Sequence, residues 1–269
     1  MIVVKYGGAA LDGAGASDPL LAEIAALHER GERIVLVHGG GPEIDRRLSE
    51  RGIVTRRVEG QRITDAATLE VVESVLCGTL NKRLVRACLA LGIRAAGISG
   101  QDGPTLLAQT LKGAGGADLG FVGETVDCDV HLVRALFDAG YVPIIAPLAI
   151  SRDGTQAYNV NADLAAAAIA GALATNAFII VTNVSRVLRD PDDPASGIGR
   201  LTPEEARAFA ASEACRSSMK PKLLAAVAAV GGGANAAYIC AAKSGTIARA
   251  LAGDATIVSA PAIAPPAAR

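Results

Sequence analysis

The sequence predicts an α/β fold, a three-layer αβα sandwich with a central, mostly parallel sheet. Two observations carry this prediction. Short β-branched runs such as "IVVKY" and "RIVLVH" alternate along the chain with longer helical patterns, which is typical of successive β-α-β units. The chain has 269 residues, 51% of them hydrophobic, which is enough to bury a large core. We therefore expect helices on both faces of one sheet.

The first half of the chain keeps this alternation with little interruption. Strand-like runs occur at "IVVKYGG", "RIVLVHGG" and "RAAGISG". The predicted helices between them are 19–30, 42–51 and 65–91. The segment that follows, "LKGAGGADLGFVGETVD", is rich in glycine and predicts a hairpin or loop instead of another β-α-β unit.

The second half returns to the alternating pattern. Its strand-like runs are "YVPIIAPLAI", "AFIIVTNVS", "AAYICA" and "TIV". Its predicted helices are 131–139, 163–174, 202–211 and 222–230. We expect an N-terminal lobe over 1–150 and a C-terminal lobe over 151–269 that share the sheet. Ligands are then expected outside the carboxyl ends of the strands.

Composition argues against several classes of partner. The 26 Lys and Arg residues are dispersed and nearly balance 27 Asp and Glu, so nucleic acid and anionic membranes are not expected partners. The five cysteines form no C-x-x-C pair, which argues against a disulfide framework or a thiolate zinc site. The chain opens on a strand-like run instead of a signal peptide, and no apolar run is long enough to cross a bilayer. We expect a cytoplasmic protein.

Two glycine-rich turns follow neighbouring strand-like runs. They are "KYGG", which begins at Lys5, and "HGGG", which begins at His38. Glycine lets the backbone approach phosphate oxygens closely, and a helix N-terminus that follows adds partial positive charge. Either motif alone fits a plain β-α turn equally well. Together, with Lys5 directly before one of them, they predict a phosphate site.

Polar side chains occupy three alternate positions near the start of "YNVNADLAAAAIA". Asn159, Asn161 and Asp163 would project to one side of an extended segment. Asp163 alone is explained equally well as the N-cap of the helix that follows. The two amides are harder to explain structurally, because a polar group inside such a segment costs desolvation unless it binds something.

Three basic residues lie at predicted loop–helix junctions. Lys220 and Lys222 occur in "SSMKPKLLAAV", and Arg62 occurs in "EGQRIT" before a predicted helix. Each on its own fits an ordinary solvated charge. The guanidinium of Arg62 would nevertheless suit a carboxylate through a bidentate contact.

The ordered set of motifs resembles the amino acid kinase family. The segments that carry the resemblance span 2–258, nearly the whole chain. They are "KYGGAA", "VLVHGGGPEI", "GQRITDAATLEVVESVLCGTLNKRLV", "GISGQDG", "DLGFVGETVDCD", "GYVPIIAPLA", "YNVNADLAAAAIAGAL" and "MKPKLLAAV". Within the family they are most similar to members that phosphorylate N-acetyl-L-glutamate.

The resemblance implies the amino acid kinase fold and a reaction. ATP, with Mg²⁺, would phosphorylate the γ-carboxylate of N-acetyl-L-glutamate in the second step of arginine biosynthesis. The N-terminal lobe would bind the acyl amino acid and carry the dimer surface, and the C-terminal lobe would bind ATP. Because the chain starts directly at the first strand, the resemblance also suggests a homodimer that arginine does not inhibit.

The resemblance assigns roles to particular residues, each transferred at a matching motif. Lys5, Lys222 and Asp163 would be catalytic. Phosphate would contact Gly7, Gly8 and Gly40. The acyl amino acid would contact Gly40, Gly41, Arg62 and Asn159. The nucleotide would contact Thr182, Asn183, Val184, Ser185, Val187 and Leu188. No residue is assigned as a metal ligand.

Two alternatives stay open at this point. One is a carrier-protein-linked aminoadipate or glutamate kinase of lysine or arginine biosynthesis; such relatives tend to read N-x-D-G-D where this chain has "NVNAD". The other is a nucleotide-binding regulatory protein that has kept the fold and lost turnover. Asn183, Arg186 and Ser218 favour it, because they depart from the family's usual residues on the ATP side.

Overall fold

The structure is a computed structural model that describes residues 1–7, 11, 15, 17–58 and 60–261. In this part of the chain, strands and helices alternate as the sequence predicts. The helices are α1 (Pro19–Glu29), α2 (Gly41–Glu50), α3 (Ala66–Glu73), α4 (Asn81–Ala90), α5 (His131–Asp138), α6 (Ala162–Ala172), α7 (Pro203–Ala211), α8 (Lys220–Gly231) and α9 (Thr246–Leu251).

The strands follow in the same way. They are β1 (Ile2–Tyr6), β2 (Ile34–His38), β3 (Arg57–Val58), β4 (Gln61–Arg62), β5 (Ala95–Ser99), β6 (Leu106–Lys112), β7 (Asp118–Cys128), β8 (Val142–Ala146), β9 (Leu148–Ile150), β10 (Ala157–Val160), β11 (Ala177–Thr182), β12 (Arg200–Leu201), β13 (Ala236–Ala241) and β14 (Thr256–Ser259).

Eight strands form the central sheet. Their order is β12-β14-β13-β11-β1-β2-β8-β5, and all neighbours are parallel except β13 and β14. β1 lies between β2 and β11, so strands from both halves of the chain meet at the middle of one sheet. The predicted α/β class and mostly parallel sheet are confirmed.

Helices cover both faces of this sheet, and the alternation of side chains along β1 shows how. Val3 packs into a hydrophobic cluster that contains residues of α5, α6, α7 and α8. Its neighbours Val4 and Tyr6 pack into a second cluster, with residues of α1, α2, α4 and α9. Because successive side chains of a strand point to opposite faces, one strand contributes to both cores. The result is the predicted three-layer sandwich.

Four further strands, β6, β7, β9 and β10, form a separate closed ring beside the sheet. β6 and β7 pair antiparallel and include the glycine-rich segment that we predicted to be a hairpin or loop. β10 ends directly before α6, which therefore begins at the junction between the ring and the sheet. No helix in the described ranges is both long and apolar enough to cross a membrane.

The helix predicted over 65–91 is continuous but not uniform. Asp65 caps its start by accepting a hydrogen bond from the backbone N–H of Thr68, 2.8 Å away. Between α3 and α4 the seven residues Ser74–Leu80 adopt π-helical geometry. Such segments are rare inside helices and occur frequently at functional sites. Nothing in local residue preferences distinguishes these residues from an ordinary helix, so the sequence did not predict the π-helical segment.

Candidate active site

The two glycine turns lie side by side, as the sequence predicted. β1 and β2 are parallel and in register, with Tyr6 opposite His38. The backbone N–H of Gly39 donates to the carbonyl of Tyr6 at 2.8 Å. A Cβ at position 39 would lie 3.7 Å from the Cα of Gly7, so the two turns are in contact. Gly8, the other predicted phosphate contact of the first turn, lies outside the described residues.

The N-terminus of α6 reaches the same place. A Cβ at position 39 would lie 3.9 Å from the Cβ of Ala162, the first residue of α6. The N-cap of this helix is Asn161, whose side chain accepts from the backbone N–H groups of Asp163 and Leu164. Our interpretation of Asp163 as a possible cap was therefore wrong. The helix begins one residue earlier than predicted, which leaves the carboxylate of Asp163 for another role.

That carboxylate joins two lysines that are distant in the sequence. The Nζ atom of Lys5, near the end of β1, lies 2.9 Å from Oδ1 of Asp163. The Nζ atom of Lys222, in the first turn of α8, lies 3.3 Å from Oδ2. The three side chains are 9%, 17% and 7% exposed for Lys5, Lys222 and Asp163 respectively. The structure thus brings together all three residues that we predicted to be catalytic.

The charge of this cluster follows from its contacts. Burial raises the pKa of Asp163, but the positive charges of Lys5 and Lys222 outweigh that effect, and the net result is a pKa below the usual value. Asp163 is therefore ionised at neutral pH. Two cations around one carboxylate leave an excess of positive charge. Asp163 and Lys222 lie in the first turns of α6 and α8, and the second glycine turn leads into α2. The N-termini of these three helices carry partial positive charge, which favours anions as well.

In both turns, neighbouring side chains occupy the space that a side chain at the glycine would take. A Cβ at Gly7 would overlap the Nζ atom of Lys5, so the lysine folds back across this glycine to reach Asp163. A Cβ at Gly40 would lie 2.5 Å from Cδ1 of Leu80 and 2.7 Å from Cδ2 of Leu76. These two leucines belong to the π-helical segment, which packs directly against the second turn.

A second polar network begins at the same turn. Arg62, on β4, has a side chain that is 6% exposed and donates to Asp45 and to the carbonyl of Gly41, 3.3 Å away. The hydroxyl of Thr64 donates to the carbonyl of Arg62 at 3.0 Å and accepts from Nδ2 of Asn159 at 3.1 Å. The predicted substrate residues Gly41, Arg62 and Asn159 therefore belong to one hydrogen-bonded group.

Asp45 and Thr64 complete this network, and the sequence did not predict either of them. Asp45 lies on α2 and also accepts from the guanidinium of Arg57 at 2.8 Å. An acidic residue on an amphipathic helix gives no sequence signal, since solvated carboxylates are common there. Thr64 is fully buried and lies two residues after Arg62. Its position in "QRIT" was the only available indication.

The predicted nucleotide segment lies at the same edge of the sheet. Thr182 ends β11, the neighbour of β1, and residues 183–188 follow it. The side chain of Lys243, just after β13, donates to the hydroxyl of Ser185 at 2.9 Å. The backbone N–H of Val187 donates to the hydroxyl of Thr256 at 2.9 Å, which fixes the far end of the segment. Lys243 is a further residue that the sequence did not single out for this site.

The fold and the site define a class of protein, the three-layer α/β proteins that gather positive charge at the carboxyl edge of a parallel sheet. Within that class, the chain belongs to the amino acid kinase family. The model of this family, described as "Amino acid kinase family", matches residues 1–241. The resemblance predicted from the motifs is confirmed.

Individual relatives agree with this assignment. The chain is 42% identical over 242 residues to an acetylglutamate kinase of Brevibacillus brevis, with 89% of each chain covered. It is 42% identical over 252 residues to an acetylglutamate kinase of Rubrobacter xylanophilus, with 94% of this chain and 93% of the relative covered.

A solved structure shows the same architecture. This is an N-acetylglutamate synthase from Neisseria gonorrhoeae in complex with coenzyme A and N-acetylglutamate. It superposes with a TM-score of 0.81 at 26% identity and covers 97% of this chain. The present chain spans 60% of the length of that synthase.

Because the pKa of Asp163 is lowered in the folded protein, the stability of the protein should depend on pH. A carboxyl whose pKa is lower in the folded state contributes stability above its unfolded pKa, about 3.9 for aspartate, and loses it as the pH falls further. We expect the free energy of unfolding of the native protein to exceed that of Asp163→Asn at neutral pH. The difference should shrink below about pH 4. Urea unfolding of both proteins from neutral to acidic pH measures this. A difference that stays constant or grows on acidification would contradict the ion-pair assignment.

Proposed function

We propose that the protein transfers the γ-phosphoryl group of ATP to the γ-carboxylate of N-acetyl-L-glutamate, giving ADP and N-acetyl-L-glutamyl 5-phosphate. The observation that carries the proposal is the pair of lysines on one buried carboxylate, beside two adjacent glycine turns. Family membership and the two relatives called acetylglutamate kinase supply the reaction and its acceptor. Of the sequence-based alternatives, neither is favoured by a contact in the structure.

The chemistry needs positioning and charge neutralisation more than acid or base catalysis. A glutamate γ-carboxyl has an ordinary pKa of about 4.3, so at neutral pH it is already an ionised nucleophile. The obstacle is that an anionic acceptor must approach an anionic triphosphate. Fixed positive groups around the transferring phosphoryl group remove this obstacle, and they cost no reorganisation during the reaction.

Lys5 and Lys222 are the residues that we assign to this task. Each ammonium group has three N–H donors, and contact with Asp163 occupies only part of that capacity. Lys5 would neutralise charge from the side of the glycine turns, and Lys222 from the side of α8. Asp163 would hold both ammonium groups in place and keep them from repelling each other. Backbone N–H groups of Gly7, Gly8, Gly40 and Gly41 would add further donors.

The acyl amino acid would bind on the side of Arg62 and Asn159. A buried guanidinium suits a carboxylate because its N–H groups match the spacing of the two oxygens. Arg62 is already oriented by Asp45 and by the carbonyl of Gly41. Asn159 is oriented by Thr64. Preorganised partners of this kind lower the cost of ordering side chains on binding.

We propose that ATP binds along residues 182–188 together with Mg²⁺. In the described residues, no group of three or more His, Cys, Asp or Glu side chains is arranged to hold a metal ion. Both oxygens of Asp163 face lysines. Asp163 is therefore not assigned as a ligand of Mg²⁺ in this proposal. Phosphate oxygens and water are the usual ligands of Mg²⁺ in such enzymes.

We propose that the two lobes bind different substrates. Residues 1–150, together with Asn159 from the second lobe, would bind the acyl amino acid and form the surface of a homodimer, and residues 151–269 would bind ATP. The five cysteines are unpaired, which fits a reducing compartment such as the cytoplasm.

The two lysines are tested by substitution, with a matched control on the same helix. Lys5→Ala and Lys222→Ala should each lower kcat by about 10²-fold or more, comparable to removal of one preorganised donor. Lys220→Ala removes an exposed lysine from the first turn of α8 and should leave kcat within a few-fold. Steady-state assays of ADP release on folded protein make the comparison. Near-normal turnover in either of the first two variants would refute the assignment.

The acceptor is tested with a coupled ADP-release assay on the native protein. N-acetyl-L-glutamate, N-acetyl-L-aspartate and an aminoadipate derivative are offered separately with ATP and Mg²⁺. We expect sustained turnover with N-acetyl-L-glutamate alone. Preference for the aminoadipate derivative would replace the proposal by the carrier-linked kinase, and absence of turnover with every acceptor would favour the regulatory alternative.

A further inference from the structure

A buried hydrogen-bonded group lies behind the second glycine turn. Neither the sequence-based predictions nor the proposed mechanism assigns it a role. His38 ends β2 and is fully buried. Asn81 begins α4, directly after the π-helical segment, and is 1% exposed. Nδ2 of Asn81 lies 3.3 Å from Nε2 of His38. Nδ1 of His38 lies 2.9 Å from the carbonyl oxygen of Gly39.

The neighbours of Asn81 fix the orientation of its amide. Its Nδ2 atom lies 2.9 Å from the carbonyl of Ile144 and 3.2 Å from the carbonyl of Ile98. Carbonyl oxygens only accept hydrogen bonds, so the atom that faces them must be the NH₂ nitrogen. On the other side, Nζ of Lys82 donates to Oδ1 at 3.1 Å. Both sides of the amide therefore agree on one orientation.

This orientation determines the tautomer of His38. The two hydrogens of this NH₂ group are directed to the carbonyls of Ile144 and Ile98, and an amide nitrogen accepts no hydrogen bond. A hydrogen on Nε2 would therefore have no acceptor, whereas Nδ1 faces a carbonyl oxygen, which can only accept. A neutral imidazole then carries its hydrogen on Nδ1, and that N–H donates to the carbonyl of Gly39. Burial lowers the pKa of His38 to about 4, and the ammonium group of Lys82 acts in the same direction. The ring is accordingly neutral at physiological pH.

The tautomer matters because of the geometry of the peptide bond. The carbonyl of Gly39 and the N–H of Gly40 belong to one planar, trans peptide unit, so they point in opposite directions. When His38 holds the carbonyl toward the buried side, the N–H of Gly40 is directed away from it. This N–H is among the donors that we assign to the transferring phosphoryl group.

Packing from the π-helical segment supports the same peptide unit. Leu76 and Leu80 occupy the space next to Gly40, and the segment ends at the residue before Asn81. The π-helical segment therefore determines both the packing against the second glycine turn and the position of the Asn81 amide that faces His38.

We propose that Asn81 and His38 are positioning residues for the phosphoryl transfer. Asn81 selects the Nδ1–H tautomer of His38, and His38 holds the peptide unit between Gly39 and Gly40 so that its N–H faces the transferring group. The kinetic part of this inference rests on the proposed function; the tautomer does not.

The tautomer is measured on the ligand-free protein by ¹⁵N NMR of the histidine rings. The chain has three histidines, and the resonance of His38 is assigned by its loss in His38→Asn. We expect a protonated Nδ1 and an unprotonated Nε2 at neutral pH. A protonated Nε2 would overturn the inference whatever the enzyme catalyses.

The kinetic test compares two substitutions of one residue. The amide of His38→Asn can still donate from about the place of Nδ1, whereas His38→Leu cannot. We expect His38→Leu to lose about 10- to 100-fold in kcat, the effect of misplacing a group by a fraction of an ångström to 1 Å. KM for both substrates should change little, because the donor acts mainly on the transition state. His38→Asn should retain most of the native kcat.

The stability of both variants is measured as a control, because both substitutions alter a buried site. Circular dichroism and urea unfolding give the folded fraction, and kcat is expressed per folded molecule. A residue with only a structural role would lower stability in both variants and leave this corrected kcat unchanged, which would overturn the proposal. If the native protein shows no turnover, the proposed function fails, and the NMR result still decides the tautomer.

Discussion

One carboxylate between two ammonium groups is the interaction on which the rest of the site depends. Lys5 comes from the central strand β1 and Lys222 from α8, more than two hundred positions later, and Asp163 on α6 binds both. Two buried cations this close would repel each other without an anion between them. Loss of one partner of a buried ion pair typically costs about 3–5 kcal/mol. Asp163 therefore holds together elements from both halves of the chain and leaves a net positive site for phosphate.

Much of this arrangement was predictable, because it follows from periodicity and topology. Parallel β-α-β units bring the carboxyl ends of strands to one edge, so glycine turns after β1 and β2 had to be neighbours. Lys5 precedes the first turn directly, and the family's ordered motifs identified Asp163 and Lys222. On its own, Lys222 fitted an ordinary solvated charge and Asp163 a helix cap, so these two residues were singled out by the resemblance to the family and not by residue type alone.

The features that the sequence did not predict depend on the exact start of a helix, on irregular helical geometry or on tertiary contacts. Asn161 was not recognised as the cap of α6, because Asn161 and Asp163 are both good capping residues and only the helix start decides between them. The π-helical segment has no signature in local preferences. Asp45, Thr64 and Asn81 each make a hydrogen bond with a residue 17 or more positions away, and such contacts appear only when the tertiary structure is known. Sequence reasoning thus located the groups proposed to touch the reactants more readily than the groups that orient them.

In the proposed reaction, the ammonium groups of Lys5 and Lys222 both face one transferring phosphoryl group. The most direct measurement is a crystal structure of the protein with ADP, Mg²⁺, N-acetyl-L-glutamate and aluminium fluoride, whose fluoride complex takes the place of the phosphoryl group. We expect the fluoride complex to lie between Lys5 and Lys222, with each Nζ at about 3 Å from it, as in charge-assisted hydrogen bonds. A fluoride complex bound elsewhere, with the two lysines contacting only Asp163, would contradict it.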